Sequence, residues 1–136
     1  MGAPLEMKYS VLIIEDDDTL RTLSAEKLTQ EGFNVTQSAD GAKGLATALE
    51  THPDLIILDN RMPTMTGYEM LKTLRRSGEW GERVRVIFFT NIAPEDEAAA
   101  ADIEAIAPQR YLMKSEVSLE ELARIVKEQL GIAPTS

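Results

Sequence analysis

Asp59 closes the run Pro53-Asp54-Leu55-Ile56-Ile57-Leu58-Asp59-Asn60-Arg61-Met62-Pro63, an apolar stretch that ends abruptly in a carboxylate. A second apolar run, Val11-Leu12-Ile13-Ile14, ends the same way in Glu15-Asp16-Asp17. Thr90 follows Val84 to Phe89, and Lys114 follows Arg110 to Met113. Carboxylates brought together without Cys or His form a hard oxygen site. Such a site suits Mg²⁺, which takes octahedral oxygen ligands and retains waters and phosphate oxygens. A divalent cation would also relieve the mutual repulsion of the acids. Beside it, Asp59 could act as a carboxylate nucleophile toward phosphorus and form an aspartyl-phosphate. The Lys114 ammonium and the Thr90 hydroxyl would then stabilise the charge spread over the equatorial oxygens of an in-line phosphoryl transfer.

These residues need elements that deliver them to one edge. Strand patterns cover Tyr9 to Ile14, Phe33 to Gln37, Leu55 to Leu58, Val84 to Phe89 and Arg110 to Met113. Between and after them, helical spacing links Leu20, Leu23 and Leu28; Ala42, Leu45, Ala46 and Leu49; Met70, Leu71 and Leu74; and Leu119, Leu122, Ile125, Val126 and Leu130. Thr66-Gly67-Tyr68-Glu69 and Ser118-Leu119-Glu120-Glu121 have the Ser/Thr-x-x-Glu form of a capping box. Pro94 with Glu95-Asp96-Glu97 predicts the first turn of a fourth helix. Asp17 or Asp18 is the expected N-cap of the first helix, and Gly32 and Gly131 stand where the first and fifth should stop. The order is (βα) repeated five times, which predicts an α/β doubly wound parallel sheet with helices on both faces. In such sheets ligands collect beyond the carboxyl ends of the strands, where Asp59 lies.

At 136 residues and 43% hydrophobic the chain has material for one core. Residues 9 to 131 are read as that domain, with an N-terminal extension at 1 to 8 and a tail at 132 to 136. A net charge of -9 argues against the basic footprint of a nucleic-acid binder. Cysteine is absent, which excludes disulfides and thiolate metal sites. No segment approaches the roughly 20 apolar residues that span a bilayer, so no membrane role is expected and the reading is a cytoplasmic protein. His52, before Pro53 in a polar turn, reads as surface, and Trp80 as a packing anchor in the loop before the fourth strand.

Taken as an ordered set, Ile13-Ile14-Glu15-Asp16-Asp17, Leu58-Asp59-Asn60-Arg61-Met62-Pro63, Phe89-Thr90 and Tyr111-Leu112-Met113-Lys114 resemble the receiver domain of two-component response regulators over roughly Tyr9 to Leu130. The resemblance implies a flavodoxin-like fold with strand order 2-1-3-4-5, and phosphorylation of Asp59 by a histidine kinase or phosphotransfer protein. It implies that Asp16 and Asp59 bind Mg²⁺ directly, together with the main-chain carbonyl of Arg61, while Glu15 acts through a metal-bound water. It implies a switch in which Thr90 swings toward the phosphoryl group and Tyr111 turns inward. The output partner would dock on the face of the predicted fourth helix, fifth strand and fifth helix, about Glu95 to Leu130. The chain departs from the family pattern at Ser115, where Pro usually follows the lysine through a cis bond. Either the loop stores the strain of a non-prolyl cis bond or a trans path re-aims the ammonium. Asn91 is larger than the usual residue at its position; with Arg61 and Ile92 it is expected to set the phosphoryl lifetime by controlling water access.

Two rivals are weighed. An Asp-nucleophile phosphatase of the haloacid dehalogenase type would carry a second Asp two residues on as general acid, where this chain has Arg61. A pseudo-receiver scaffold would bind partners regardless of phosphorylation; Ser115 and Asn91 favour it, and the complete acidic set opposes it. Singly, Asp59 could be a loop aspartate, Glu15 and Asp16 helix-start charges, Thr90 a plain strand residue, Lys114 a solvated edge charge and Tyr111 core packing.

Overall fold

The computed structural model describes residues 8–132. Apart from Lys8 and Ile132, the expected extension and tail lie outside the described residues. Five strands, β1 (Ser10–Ile14), β2 (Asn34–Ser38), β3 (Leu55–Leu58), β4 (Arg85–Thr90) and β5 (Arg110–Met113), form one parallel sheet in the order β2-β1-β3-β4-β5. Six helices accompany them: α1 (Asp18–Gln30), α2 (Gly41–Thr51), α3 (Gly67–Arg75), α4 (Glu79–Arg83), α5 (Glu97–Ala105) and α6 (Leu119–Gln129). The fold is the doubly wound parallel sheet predicted from the pattern, in the flavodoxin-like strand order that the resemblance implies, with one additional short helix.

The continuous apolar strands are sorted by the pleat into two cores, because successive side chains leave opposite faces. Val11, Ile13, Leu55, Ile57, Ile87, Phe89 and Leu112 pack under α1 and α6 with Leu28, Leu122, Ile125 and Val126. Leu12, Ile14, Ile56, Leu58, Val86 and Phe88 pack under α2, α3 and α5 with Ala48, Met70, Leu71, Leu74 and Ile103. Lys27 of α1 pairs with Glu120 at 2.6 Å and with Glu31 at 3.2 Å, and Glu31 also pairs with Lys127, so an alternating ionic chain runs along the α1–α6 seam.

Capping follows the local signals closely. Asp17 is the N-cap of α1 and accepts from the Leu20 amide, Thr66 and Glu69 close a reciprocal capping box on α3, and Ser118 accepts from the Glu121 amide on α6. Gly32 and Gly131 both take positive φ, +98° and +72°, one residue past the caps of α1 and α6. The expected start at Pro94 is corrected: α5 begins at Glu97, because the Asp96 carboxylate accepts from the Ala99 amide and defines the N-cap.

Three further expectations change. Leu23 and Leu49 are exposed rather than core residues. The inner faces of α1 and α2 are instead made by Ser24, Ala25 and Leu28 and by Gly41, Gly44 and Ala48. The latter set is too small to register as an apolar stripe. Trp80 lies inside α4 rather than in a loop, and its ring stacks on His52 with centroids 4.2 Å apart and planes 6° from parallel. His52 is exposed as expected, but it is also the left-handed C-cap of α2 (φ +47°), so the stack ties the end of α2 to α4.

Candidate functional site

The strand ladders extend one residue past the sheet and hold the site from the main chain. The Glu15 amide donates to Ser38 (3.0 Å), the Asp59 amide to Ile14 (3.0 Å) and the Lys114 amide to Thr90 (2.8 Å). Each site residue is thus registered against the end of its neighbouring strand. The loop after β3 returns at once into α3: Asn60 accepts from the Tyr68 amide through its side chain (2.8 Å), and its carbonyl accepts from the Gly67 amide (2.9 Å). Gly67 is required by this approach, since a Cβ there would stand 2.4 Å from the Asp59 carbonyl oxygen.

Glu15, Asp16 and Asp59 each offer a carboxylate oxygen, and these oxygens lie within 4.8 Å of one another. Glu15 and Asp59 are buried, whereas Asp16 is exposed at the mouth. The Lys114 ammonium sits between the buried pair, 2.6 Å from Glu15 Oε1 and 3.3 Å from Asp59 Oδ2. Among the described residues no peptide bond is cis. The Lys114-Ser115 bond therefore takes the trans path, and the ammonium still reaches both acids. A turn closed by the Glu116 amide on the Met113 carbonyl (2.9 Å) carries the chain away from it.

The electrostatics follow from this packing. Burial pushes the Glu15 carboxyl up to about 7, with the charge of Asp59 adding to the rise; the Lys114 ammonium and the Asp17 amide oppose it. Burial alone would lower Lys114, but its bond to Glu15 and the charges of Asp59 and Glu15 outweigh that, and its net direction is upward. The oxygen-only donor set, two buried acids and one exposed to solvent, fits a hard divalent ion that keeps part of its hydration.

Thr90 is fully buried, and its Oγ1 accepts from the Ile92 amide at 3.3 Å. The Tyr111 hydroxyl donates to the Ile92 carbonyl, while its ring lies on Phe88 with centroids 5.2 Å apart. Burial raises the Tyr111 phenol, and the charge of Asp59 raises it further. Thr90 and Tyr111 are therefore joined through a single residue, Ile92. Arg61 lies in the loop after Asp59 with an exposed side chain.

Sequence reasoning missed Arg21. Its side chain is 16% exposed. It donates from Nη1 to the Glu15 carbonyl (2.9 Å), from Nη2 to Asp18 (2.6 Å) and from Nε to Gln37 of β2 (3.3 Å). Only the i,i+3 spacing to Asp18 was visible in one dimension. The contacts to a carbonyl and to a second strand carry no sequence signal.

Fold and site together define a doubly wound α/β protein with an acidic cleft at the carboxyl edge of its sheet, crossed by one lysine. The response regulator receiver domain model matches residues 11–127. The chain belongs to that family, whose members work in the phosphorylation-based signalling of two-component systems. It is 34% identical over 116 residues to the DNA-binding dual master transcriptional regulator RpaA of Synechocystis, a match covering 85% of this chain and 46% of that protein. It is also 34% identical over 84 residues to sporulation initiation phosphotransferase F of Bacillus subtilis, covering 62% of this chain and 65% of that protein. The chain spans less than two thirds of the length of these curated relatives. Among solved structures, the chemotaxis response regulator CheY4 of Vibrio cholerae superposes with a TM-score of 0.78 at 27% identity, covering 90% of this chain and 98% of that one.

Proposed function

We propose that residues 9 to 131 are a phosphoacceptor receiver whose Asp59 takes a phosphoryl group from a phosphohistidine on a histidine kinase or phosphotransfer protein. The observation that carries this reading is the Lys114 ammonium held by both buried carboxylates, with Asp16 completing a three-acid cluster at the strand ends. An Asp59 carboxylate oxygen attacks phosphorus in line, the P–N bond of the donor breaks, and the imidazole leaves with the bonding electron pair. Asp16, Asp59 and the Arg61 carbonyl would hold Mg²⁺, with Glu15 acting from beside them, and the ion would supply charge neutralisation for the phosphoryl oxygens. Lys114 supplies a fixed ammonium at the same oxygens, and it needs only to exchange one carboxylate contact for a phosphoryl contact.

The Thr90 hydroxyl accepts from Ile92, which leaves its proton available to donate to the phosphoryl group. Motion of Thr90 toward that group pulls on the Ile92 peptide, whose carbonyl holds the Tyr111 hydroxyl. The charge event at Asp59 is thereby transmitted to the surface of α5, β5 and α6, where the downstream protein docks. The net charge of -9 argues for output through protein contact rather than contact of this domain with nucleic acid. Among the described residues no helix is long and apolar enough to cross a membrane, which is compatible with a cytoplasmic location. The module modifies itself and turns over no separate substrate; Arg61 in place of a second acid disfavours phosphatase chemistry.

Incubation with Mg²⁺ and acetyl phosphate tests this reading. The expected product is a base-labile mass increase of one phosphoryl group, absent in Asp59→Asn and strongly reduced in Lys114→Ala. An unmodified wild type, or equal modification of Asp59→Asn, overturns it.

A further inference from the structure

We infer that Arg21 is a positioning residue for the metal-binding acids, acting through the main chain rather than through its charge. This inference rests on the Mg²⁺ reading proposed above. Four consecutive acids, Glu15 to Asp18, leave β1 and enter α1, and their mutual repulsion works against a single path even though Asp17 caps α1 and its amide donates to Glu15 Oε2 at 3.1 Å. The structure constrains it from two sides. On the amide side, Glu15 N–H donates to the Ser38 carbonyl at 3.0 Å. On the carbonyl side, Arg21 Nη1 donates to the Glu15 carbonyl at 2.9 Å. That carbonyl belongs to the peptide unit joining Glu15 to Asp16. Holding it fixes the plane of that unit and so the position of the Asp16 Cα from which the carboxylate departs.

The guanidinium is itself held against rotation. Nη2 donates to Asp18 at 2.6 Å, Nε to Gln37 of β2 at 3.3 Å, and the Arg21 amide donates to the Asp17 carbonyl at 2.9 Å. Three nitrogens of one rigid plane thus meet acceptors on the β1–α1 loop, the first turn of α1 and the edge strand. A lysine ammonium could retain the charge but not this fork. Asp16 is the exposed member of the acidic cluster, so its backbone anchor matters more to its placement than side-chain burial does.

Positioning and charge have opposite effects on cation affinity, which makes the inference testable in sign. A positive side chain beside a cation site repels the cation, so removing it strengthens Mg²⁺ binding if charge is all that Arg21 contributes. If Arg21 orients Asp16, removing it weakens binding instead. Groups that orient metal ligands typically carry about tenfold in affinity or more. The experiment is calorimetric titration of the full chain with MgCl₂ at fixed ionic strength, for wild type, Arg21→Gln, Arg21→Lys and Asp59→Asn, with thermal unfolding of each protein in EDTA.

The expected result is a Mg²⁺ dissociation constant raised about tenfold in both Arg21 variants, with faster amide exchange at residues 15–17 in the metal-free proteins. Equal or tighter binding in Arg21→Gln overturns the inference. So does a lowered Tm with unchanged affinity, which would assign Arg21 to stability alone. If Arg21→Gln does not fold, Arg21→Lys carries the same test: affinity equal to wild type overturns positioning. Wild type that binds Mg²⁺ no better than Asp59→Asn defeats the underlying metal reading, and that outcome is distinct because it appears before any change at Arg21.

Discussion

The Glu15 carboxyl rises from 4.5 to about 7 because it is buried, and this gives the metal-free protein a pH dependence of definite sign. With its folded-state value above the unfolded one, the native state binds the extra proton between those two values. The contribution to stability is fully present below about 4.5 and is lost as pH rises through about 7. In EDTA, the urea midpoint should therefore fall over that interval. Glu15→Gln should flatten the slope there; an unchanged slope would assign the dependence to other groups. At Asn91, exposed beside Thr90, substitution by Ala should alter the rate at which the Asp59 phosphoryl group is lost in a timed hydrolysis assay. An unchanged rate removes Asn91 from the control of water access.

The β3–α3 loop behaves as an element with its own anchors. Thr64 takes φ +70°, a left-handed conformation that a β-branched side chain adopts only under constraint. The constraint is visible: Thr64 Oγ1 donates to Asp40 Oδ1 at 3.1 Å, and Asp40 is the N-cap of α2. Thr64→Asn should raise stability by about 1 kcal/mol, because Asn tolerates that conformation. A lower thermal midpoint would mean that the bond to Asp40 outweighs the strain. Gly67→Ala should cost about 1–3 kcal/mol in chemical denaturation, because the new Cβ would meet the Asp59 carbonyl at 2.4 Å. Either α3 or the strand end that carries Asp59 must then move, so under the proposed function phosphorylation by acetyl phosphate should slow as well.

Across the whole molecule, one cation gathers the lower rim of the second core. Arg75 of α3 donates to the carbonyls of Ile106 (2.9 Å), Gly81 (2.9 Å), Val84 (2.7 Å) and Ala107 (2.8 Å). These carbonyls belong to the C-terminal ends of α4 and α5, where helix dipoles favour positive charge. Burial lowers the Arg75 pKa, but a guanidinium keeps its proton in proteins, so the clamp is cationic. Arg75→Met should cost more than about 2 kcal/mol, since it leaves acceptors of a charged donor unpaired in a partly buried site. Thermal unfolding checks this, and a loss confined to a few tenths would show that water replaces the guanidinium freely.

Local physics made much of the molecule readable in one dimension. The apolar runs identified β1, β3 and β4 because both faces of these central strands are buried, whereas the edge strands β2 and β5 are more exposed and carry a weaker signal. The caps at Asp17, Thr66 and Ser118 were visible because each side chain bonds an amide only three residues away. Asp59, Asp16, Glu15, Thr90 and Lys114 could be singled out because each stands just past, or at the last position of, an apolar strand. Helix α4 escaped because Gly78 and Gly81 read as loop; Gly81 is there so that the backbone can pass the Leu74 carbonyl, 2.1 Å from where a Cβ would sit. The inner face of α2 escaped because it is glycine and alanine. The sequence by itself thus determined the order of elements, the two-faced sheet and the acids at its rim, all of which follow from periodicity and short-range bonding. Only the tertiary structure decided what surrounds that rim: Arg21 on the Glu15 carbonyl, Gly67 beneath Asp59, and Ile92 between Thr90 and Tyr111. These contacts depend on how closely separate elements approach one another, a distance that no residue pattern along a single element encodes.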